Sequence, residues 1–299
     1  MQTITLEDAV ARIPDGASLM VGGFMGVGTP ECVVDELVRQ EKRDLTVIGN
    51  DTALPGVGIG KLVSANLVRK VIASHIGLNP ETQKKMLAGQ MEVELVPQGT
   101  LIERIRAAGH GLGGILTPTG VGTVVEEGKR KIEVEGREYL LEVPLRADFA
   151  LVQAFLADYL GNLTYALTAR NFNPVIAMAA STVIVDAEHI VPVGMISPDQ
   201  VMTPAPLVDY LVPERDHGCA DDHRETNCAR APRRHARQPG HRHSDACRQL
   251  CYFGHAHLFP VGERTDRHGS DTAGRFGAGA LDRCRRTAGE RDSGRLDVR

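Results

Sequence analysis

Few side chains in the first 216 residues could carry chemistry unaided. Asp51, Glu31 and the adjacent pair Glu126 and Glu127 offer carboxylates, His75 and His110 offer imidazoles, and Cys32 offers a thiol. Neighbouring residues of a strand or helix point in different directions, so the two glutamates read as a solvated surface feature rather than an acid/base pair. A capping or salt-bridge role accounts for Asp51 and for Glu31. His75 and His110 have no visible orienting partner and read as structural. Cys32 falls at the start of a helix, where its pKa could drop, yet nothing nearby suggests a nucleophile and it reads as a small buried hydrophobe. No triad, phosphate-loop or zinc signature stands in residues 1–216.

The stretch Asp15-Gly-Ala-Ser-Leu-Met-Val-Gly-Gly-Phe-Met-Gly-Val-Gly-Thr-Pro30 is more informative. It predicts a buried strand, Ser18–Val21, that runs into a glycine-rich turn and then into a helix opening at Pro30. Gly22, Gly23, Gly26 and Gly28 can take positive φ and admit a ligand close to the backbone, and Pro30 suits a first helical turn. Such a turn presents N–H groups and a helix N-terminus to an anion or a developing oxyanion. A tight strand-to-helix connection is the plainer reading of the same residues.

The surrounding elements place this turn. Thr5-Leu-Glu-Asp8 predicts an N-cap and a short helix to about residue 13, with the Thr5 hydroxyl accepting from the Asp8 N–H. Residues 30–40 carry apolar side chains at Cys32, Val33, Val34, Leu37 and Val38, one face of a helix. Apolar runs at 45–48, 71–73, 93–96, 148–153 and 181–185 read as buried strands separated by helical or loop segments. This pattern predicts an α/β fold: an open, mostly parallel sheet flanked by helices. Three strands end in Gly49-Asn50-Asp51-Thr52, Ser74-His75-Ile76-Gly77 and Pro97-Gln98-Gly99-Thr100. Ligands of open α/β sheets bind beyond the carboxyl ends of strands, so these turns are expected to converge with the glycine loop. Residues 109–128 read as an ordered glycine-rich loop packed over the crevice. The segments 131–134 and 138–142, joined by Glu135-Gly136, read as a small β-hairpin excursion.

Composition divides the chain of 299 residues near position 216. Before it lie all seven lysines, one cysteine (Cys32) and three histidines (His75, His110, His189); after it come sixteen arginines, eight histidines, five cysteines and no Lys, Ile or Met. The formal charge of −4 therefore averages an acidic body, residues 1–215, with an arginine-rich tail, residues 216–299. No apolar run approaches membrane-spanning length and the N-terminus lacks the regions of a signal peptide, so a cytoplasmic protein is expected. With few aliphatic residues to bury, the tail is expected to be disordered or unpacked. Its cluster Cys247, Cys251, His255 and His257 has ligand-type residues in a spacing that fits no common zinc finger, and no metal is expected. Its arginines are charge without a recognisable nucleic-acid-binding pattern.

The body resembles the α subunit of the family I CoA-transferases, the acetate and 3-oxoacid CoA-transferases. The resemblance rests on Asp15-Gly16 with Gly22-Gly-Phe-Met-Gly-Val-Gly28-Thr-Pro30, then on Asn50-Asp-Thr-Ala53, Pro97-Gln-Gly-Thr100, Gly113-Gly-Ile-Leu-Thr-Pro-Thr-Gly-Val-Gly-Thr123 and Ala169-Arg-Asn-Phe-Asn-Pro174, in order. It implies that Gly22, Gly23, Phe24, Met25, Gly26, Val27 and Gly28 form the CoA-binding loop. It implies that Gln98 and Asn50 sit near the reacting thioester as non-titrating donors to its oxyanion. The nucleophilic glutamate of such enzymes belongs to a Ser-Glu-Asn-Gly motif on a β subunit, so this chain would hold no catalytic nucleophile. The implied substrates are coenzyme A, acyl-CoA and short carboxylic acids, with no permanently bound cofactor, and the implied assembly is α2β2.

Ser-Glu-Asn-Gly is absent from the tail in frame. Yet Pro260-Val-Gly-Glu-Arg-Thr-Asp-Arg267 can be encoded CCA GTC GGA GAA CGG ACT GAT CGG, which shifted by one base reads Gln-Ser-Glu-Asn-Gly-Leu-Ile-Gly. In the same frame Gly240-His-Arg-His-Ser-Asp245 yields Gly-Ile-Gly-Ile-Pro-Thr, and Gly289-Glu-Arg-Asp-Ser-Gly-Arg295 yields Val-Ser-Ala-Ile-Pro-Gly-Gly. Both resemble β-subunit segments, which points to a frameshift at an α/β gene junction. Two other readings compete: a non-catalytic, pseudogene-like product, and a Rossmann dinucleotide enzyme, for which the glycine spacing after Val21 and the missing ribose-binding acid argue poorly.

Overall fold

The structure, a computed structural model, describes residues 1–213. The expectations for the tail, its Cys and His cluster included, fall outside the described residues. Nine strands form the main sheet. Eight of them run in the order β1 (Gln2–Thr3), β12 (Tyr210–Pro213), β11 (Ala180–Val191), β9 (Ala147–Asp158), β2 (Ser18–Val21), β3 (Leu45–Asp51), β4 (Val68–His75) and β5 (Glu92–Leu95). Every pairing along this path is parallel. The ninth strand, β10 (Leu163–Thr164), pairs antiparallel with β9. The mostly parallel sheet expected from the sequence is therefore observed.

Both faces of the sheet are covered, as its continuous apolar strands require. Along β2, Leu19 and Val21 join one core cluster and Met20 joins the other. The first cluster packs against α1 (Leu6–Ala11), α2 (Glu31–Arg39) and α3 (Ile59–Ser64) through residues such as Val10, Leu37 and Leu62. The second packs against α5 (Gln98–Gly109) and α6 (Asn173–Ile176) through Leu101, Ile105 and Ile176. Each fully buried Leu or Ile contributes about 1.5–3 kcal/mol, so truncating Leu37 or Ile105 would strip a helix of much of its hold on the sheet.

Local signals explain the helix ends. Thr5 caps α1, its Oγ1 accepting from the Asp8 N–H at 3.1 Å. Asn79 caps α4 (Pro80–Leu87) by accepting from the N–H groups of Glu81 and Thr82. Pro30 stands one residue ahead of the first helical residue of α2, as its N-cap. The 131–142 hairpin is present as β7 (Lys131–Val134) and β8 (Arg137–Glu142), with Glu135 at φ 51 and Gly136 at φ 74 in the tight turn. A strand from the glycine-rich loop, β6 (Ile115–Thr117), joins it to make a three-stranded antiparallel sheet. Among the described residues no helix is long and apolar enough to cross a membrane.

Strand order reverses beside β2: β3, β4 and β5 lie to one side, β9, β11 and β12 to the other. The crevice at such a switch point is where open α/β sheets bind ligands. The glycine loop leaves β2 at this place.

Candidate functional site

The loop after β2 is a shaped hairpin held from both sides. Gly22 donates its N–H to the carbonyl of Leu151 in β9 at 3.0 Å, which prolongs the strand by one bond. Phe24 and Val27 exchange backbone hydrogen bonds of 3.0 and 2.9 Å around Met25 and Gly26, whose φ values are 51 and 90. Two central residues with positive φ make a type I′-like turn, for which glycine is the least strained choice. Gly22 itself does not take positive φ. Its constraint is space, since a Cβ there would stand 1.9 Å from Asn173 Oδ1.

Two asparagines 148 and 145 positions away in sequence clamp the loop. Asn171 Oδ1 accepts the Gly23 N–H at 3.1 Å while its Nδ2 donates to the Val27 carbonyl at 2.8 Å. Asn173, fully buried, donates from Nδ2 to the carbonyls of Gly28 and Ala169, both at 2.8 Å, and accepts the Gln153 N–H at 3.0 Å. These residues bracket the entry to α6, where a 3-10 turn, Leu167–Arg170, delivers Asn171 to the loop. In the sequence, residues 169–174 stand only as one of the motifs that carry the resemblance. Side-chain amides with a donor and an acceptor on one planar group suit this task.

The loop tip is tied to the neighbouring strand. Met25 donates its N–H to Asp51 Oδ2 at 3.0 Å, and Ala53 donates to Asp51 Oδ1 at 2.7 Å. Asn50 Nδ2 donates to the same Asp51 Oδ2 at 2.8 Å. Gln98 Nε2, in the first turn of α5, donates to Asn50 Oδ1 at 2.6 Å, and Ser74 Oγ donates to the Asn50 carbonyl at 2.7 Å. The strand-end turns thus converge with the glycine loop as expected. They do so from within the sheet, because Gly49, Asn50 and Asp51 are still strand residues of β3. Asn50 and Asp51 are buried, while Gln98 is exposed. Among the described residues Asp51 is neither a helix cap nor an ion-pair partner but an acceptor of three N–H groups.

Most loop amides are thereby engaged, and only those of Gly26 and Gly28 lack a partner among the described residues. Phe24, Met25 and Val27 expose close to half of their surface. Beside them lies a mostly apolar cavity of about 540 Å³ lined by Phe24, Val27, Thr168, Arg170 and Asn171. An apolar wall with an arginine, two free amides and side-chain amides within the same network can hold an amphipathic, anionic ligand and donate to a carbonyl oxygen.

The other sequence candidates lie elsewhere. Glu31 accepts from the Gly58 N–H at 2.9 Å and pairs with Lys61 at 2.8 Å, a salt-bridge role as expected. Burial pulls the Lys61 ammonium down, but Asp35 and Glu31 outweigh it and hold the group above the usual lysine range. Glu126 caps the 109–128 loop, accepting from Gly122 N–H at 2.6 Å and pairing with Lys131 at 2.9 Å. The Gly122 donor and Lys131 keep its carboxyl below the usual range. His110 sits at the C-cap of α5 with Nδ1 2.9 Å from the Arg106 carbonyl, and His75 is an exposed residue at the end of β4. Cys32 is half-buried against the first core cluster. Among the described residues no cluster of three or more His, Cys, Asp or Glu is placed to hold a metal ion.

A mostly parallel sheet with a clamped glycine hairpin at its switch point places this chain among the open, doubly wound α/β proteins. Residues 3–214 match the family model described as Coenzyme A transferase, and the chain belongs to that family. It is 56% identical over 209 residues to the acetate CoA-transferase subunit alpha of Escherichia coli (strain K12), covering 70% of this chain and 95% of that one. It is 52% identical over 211 residues to the acetoacetyl-CoA:acetate/butyrate CoA transferase alpha subunit of Clostridium acetobutylicum, covering 71% and 97%. Among solved structures, an acyl-CoA transferase from E. coli O157:H7 in a thioester complex with CoA superposes with a TM-score of 0.64 at 25% identity, over 72% of this chain and 48% of that one. A variant of the decarboxylase AibA/AibB superposes with a TM-score of 0.61 at 30% identity, over 74% and 87%.

Proposed function

We propose that residues 1–215 are the α subunit of a short-chain acyl-CoA:carboxylate CoA-transferase that acts with a separate β subunit as α2β2. The observation that carries this reading is the single network joining the glycine loop, Asp51, Asn50 and Gln98, which positions groups but contains no nucleophile. In this reading residues 22–28 hold coenzyme A. A β-subunit glutamate attacks the acyl-CoA carbonyl, expelling CoA thiolate and leaving an acyl-glutamyl anhydride. The thiolate then attacks the glutamyl carbonyl, releasing the first carboxylate and forming a glutamyl-CoA thioester, which a second carboxylate resolves by the reverse steps. Gln98, held by Asn50, donates an N–H to the oxyanion formed at each attack. The acids are of the acetate, butyrate or acetoacetate type, as in the names of the similar subunits. The enzyme works in the cytoplasm.

Residues 216–299 are the out-of-frame start of a β subunit. This fits a match that spans 95% of the E. coli relative yet only 70% of this chain. Purified chain 1–299 is expected to transfer no CoA between acetoacetate and acetyl-CoA alone, and to do so when β is added. Transfer without β overturns the division of labour. Comparison with a truncation after Glu214 separates this reading from a non-catalytic product: if neither form binds β, the chain is not a working subunit. The nucleotide sequence across codons 210–299 decides the tail, since a continuous β frame one base over is required.

A further inference from the structure

The side-chain amides of Asn50 and Gln98 are each reversible in principle, because exchanging O and N alters the shape of an amide very little. Their surroundings make one orientation obligatory. Asp51 as a carboxylate can only accept, and its Oδ2 already takes the Met25 N–H at 3.0 Å. Asn50 must therefore turn Nδ2 towards it, at 2.8 Å. That leaves Asn50 Oδ1 facing the other way, where Gln98 must present Nε2, at 2.6 Å, with Ser74 Oγ a further 3.2 Å contact. One acceptor-only group at the buried end of the chain sets the sense of each amide up to the exposed end.

We propose that Asp51 is a positioning residue that fixes the amide polarity of Gln98, so that one N–H of Gln98 is anchored and the other is held at a single place for the substrate oxygen. This rests on the reading of Gln98 as an oxyanion donor. Were the chain of amides reversed, the unanchored N–H would move to the opposite corner of the carboxamide, and a donor misplaced by about 1 Å can lower the rate on the order of 100-fold. The same Oδ2 holds the tip of the glycine loop, so the position of Met25 and the sense of Gln98 are set by one atom.

The test uses the full chain with its β partner and three forms: wild type, Asp51→Asn, and the exchange Asn50→Asp with Asp51→Asn. The single substitution leaves no acceptor-only group to choose a sense. We expect kcat to fall on the order of 100-fold; any loosening of the Met25 N–H, which the exchange variant shares, would show in KM for acyl-CoA instead. The exchange restores an acceptor facing Gln98 Nε2 while losing the Met25 bond, and it should regain about tenfold or more of that kcat. A single variant with wild-type kcat, or an exchange no better than the single variant, overturns the proposal. A second readout needs no catalysis. With glutamine side chains labelled with 15N and Gln98 assigned by its loss in Gln98→Ala, wild-type Gln98 should show one slowly exchanging and one freely exchanging amide proton, a pattern abolished in Asp51→Asn. Two freely exchanging protons in the wild type overturn the proposal even where the single variant does not fold. Should wild-type α and β together transfer no CoA, the functional reading falls while this proton pattern still decides the polarity.

Discussion

Gly22 and Asn173 form the most demanding contact of the site, and a double-mutant cycle on the pair measures it. In Gly22→Ala the new Cβ would stand 1.9 Å from Asn173 Oδ1, 2.6 Å from Cγ and 2.9 Å from Nδ2, so the whole carboxamide must leave. Its departure strands the carbonyls of Gly28 and Ala169 and the N–H of Gln153. At about 1–3 kcal/mol for each buried orphan the loss lies between about 3 and 9 kcal/mol. Water reaching the displaced groups favours the lower part of that range, about 4 kcal/mol. Gly22 has no positive φ to be violated, so backbone strain adds nothing and the reduced freedom of the unfolded chain returns about 0.4–1 kcal/mol. Asn173→Ala strands the same three groups and should also lose about 4 kcal/mol. The double variant breaks nothing further and should resemble Asn173→Ala alone, giving a coupling near 3–4 kcal/mol where independent sites would add. Urea unfolding of the four forms, followed by circular dichroism, supplies the four free energies, and each single variant should lower Tm by about 8–16 °C. Additive losses would refute the contact as the reason for glycine at position 22.

Three further outcomes follow from other contacts. Gln98→Ala should lower kcat by about 10²–10³-fold in steady-state assays with β while unfolding as the wild type does, since the residue is exposed. Asp148 accepts from Ser18 Oγ at 2.6 Å and from Ser18 N–H at 2.8 Å, and these bonds hold its carboxyl below the ordinary value of 3.8. A depressed carboxyl stabilises the fold above its unfolded pKa and loses that contribution as pH falls through the folded one. Wild-type stability should therefore decline below about pH 3.8 more steeply than that of Asp148→Asn in acid titration of the folded state. Thr100 is buried with its hydroxyl unpartnered among the described residues, so Thr100→Val should keep or raise the free energy of unfolding in urea, by no more than the ~1–3 kcal/mol of one unmet hydroxyl.

Much of this molecule is legible in the residues because its strands are buried on both faces and stand out as aliphatic runs. The cores of β2, β3, β4 and β9 fall where those runs lie. The ends do not: β9 and β11 each extend to twelve residues, and they carry the half-buried Gln153 and Glu188 and the exposed His189, which interrupt the pattern. Two-residue strands such as β1 and β10 are too short to show any periodicity, and pairing alone creates them. β6 hides in a glycine-rich segment between Gly114 and Pro118, where turn residues mask a strand of three. At the site, the glycine loop and the Asn50 and Gln98 pair were visible as turns after strands. The Asn171 and Asn173 clamp was not, since nothing local to 169–174 indicates a loop some 145 positions earlier, and only the folded sheet brings them together.

The pairing of β2 with β9 has a consequence for synthesis. Ser18 is bonded to Asp148 and Gly22 to Leu151, so the loop at 22–28 has no template for its shape until the ribosome has released residues beyond 173. The contacts that shape it close a long stretch of chain, whose ordering entropy is spent late and all at once. A nascent chain carrying β2 to β5 can lay down a four-stranded half sheet, but it exposes the edge of β2 and an unshaped glycine turn. The shaped loop therefore arrives as one of the last events in the making of this domain, and a shortened product ending before β9 would keep the glycine-rich sequence without its clamp.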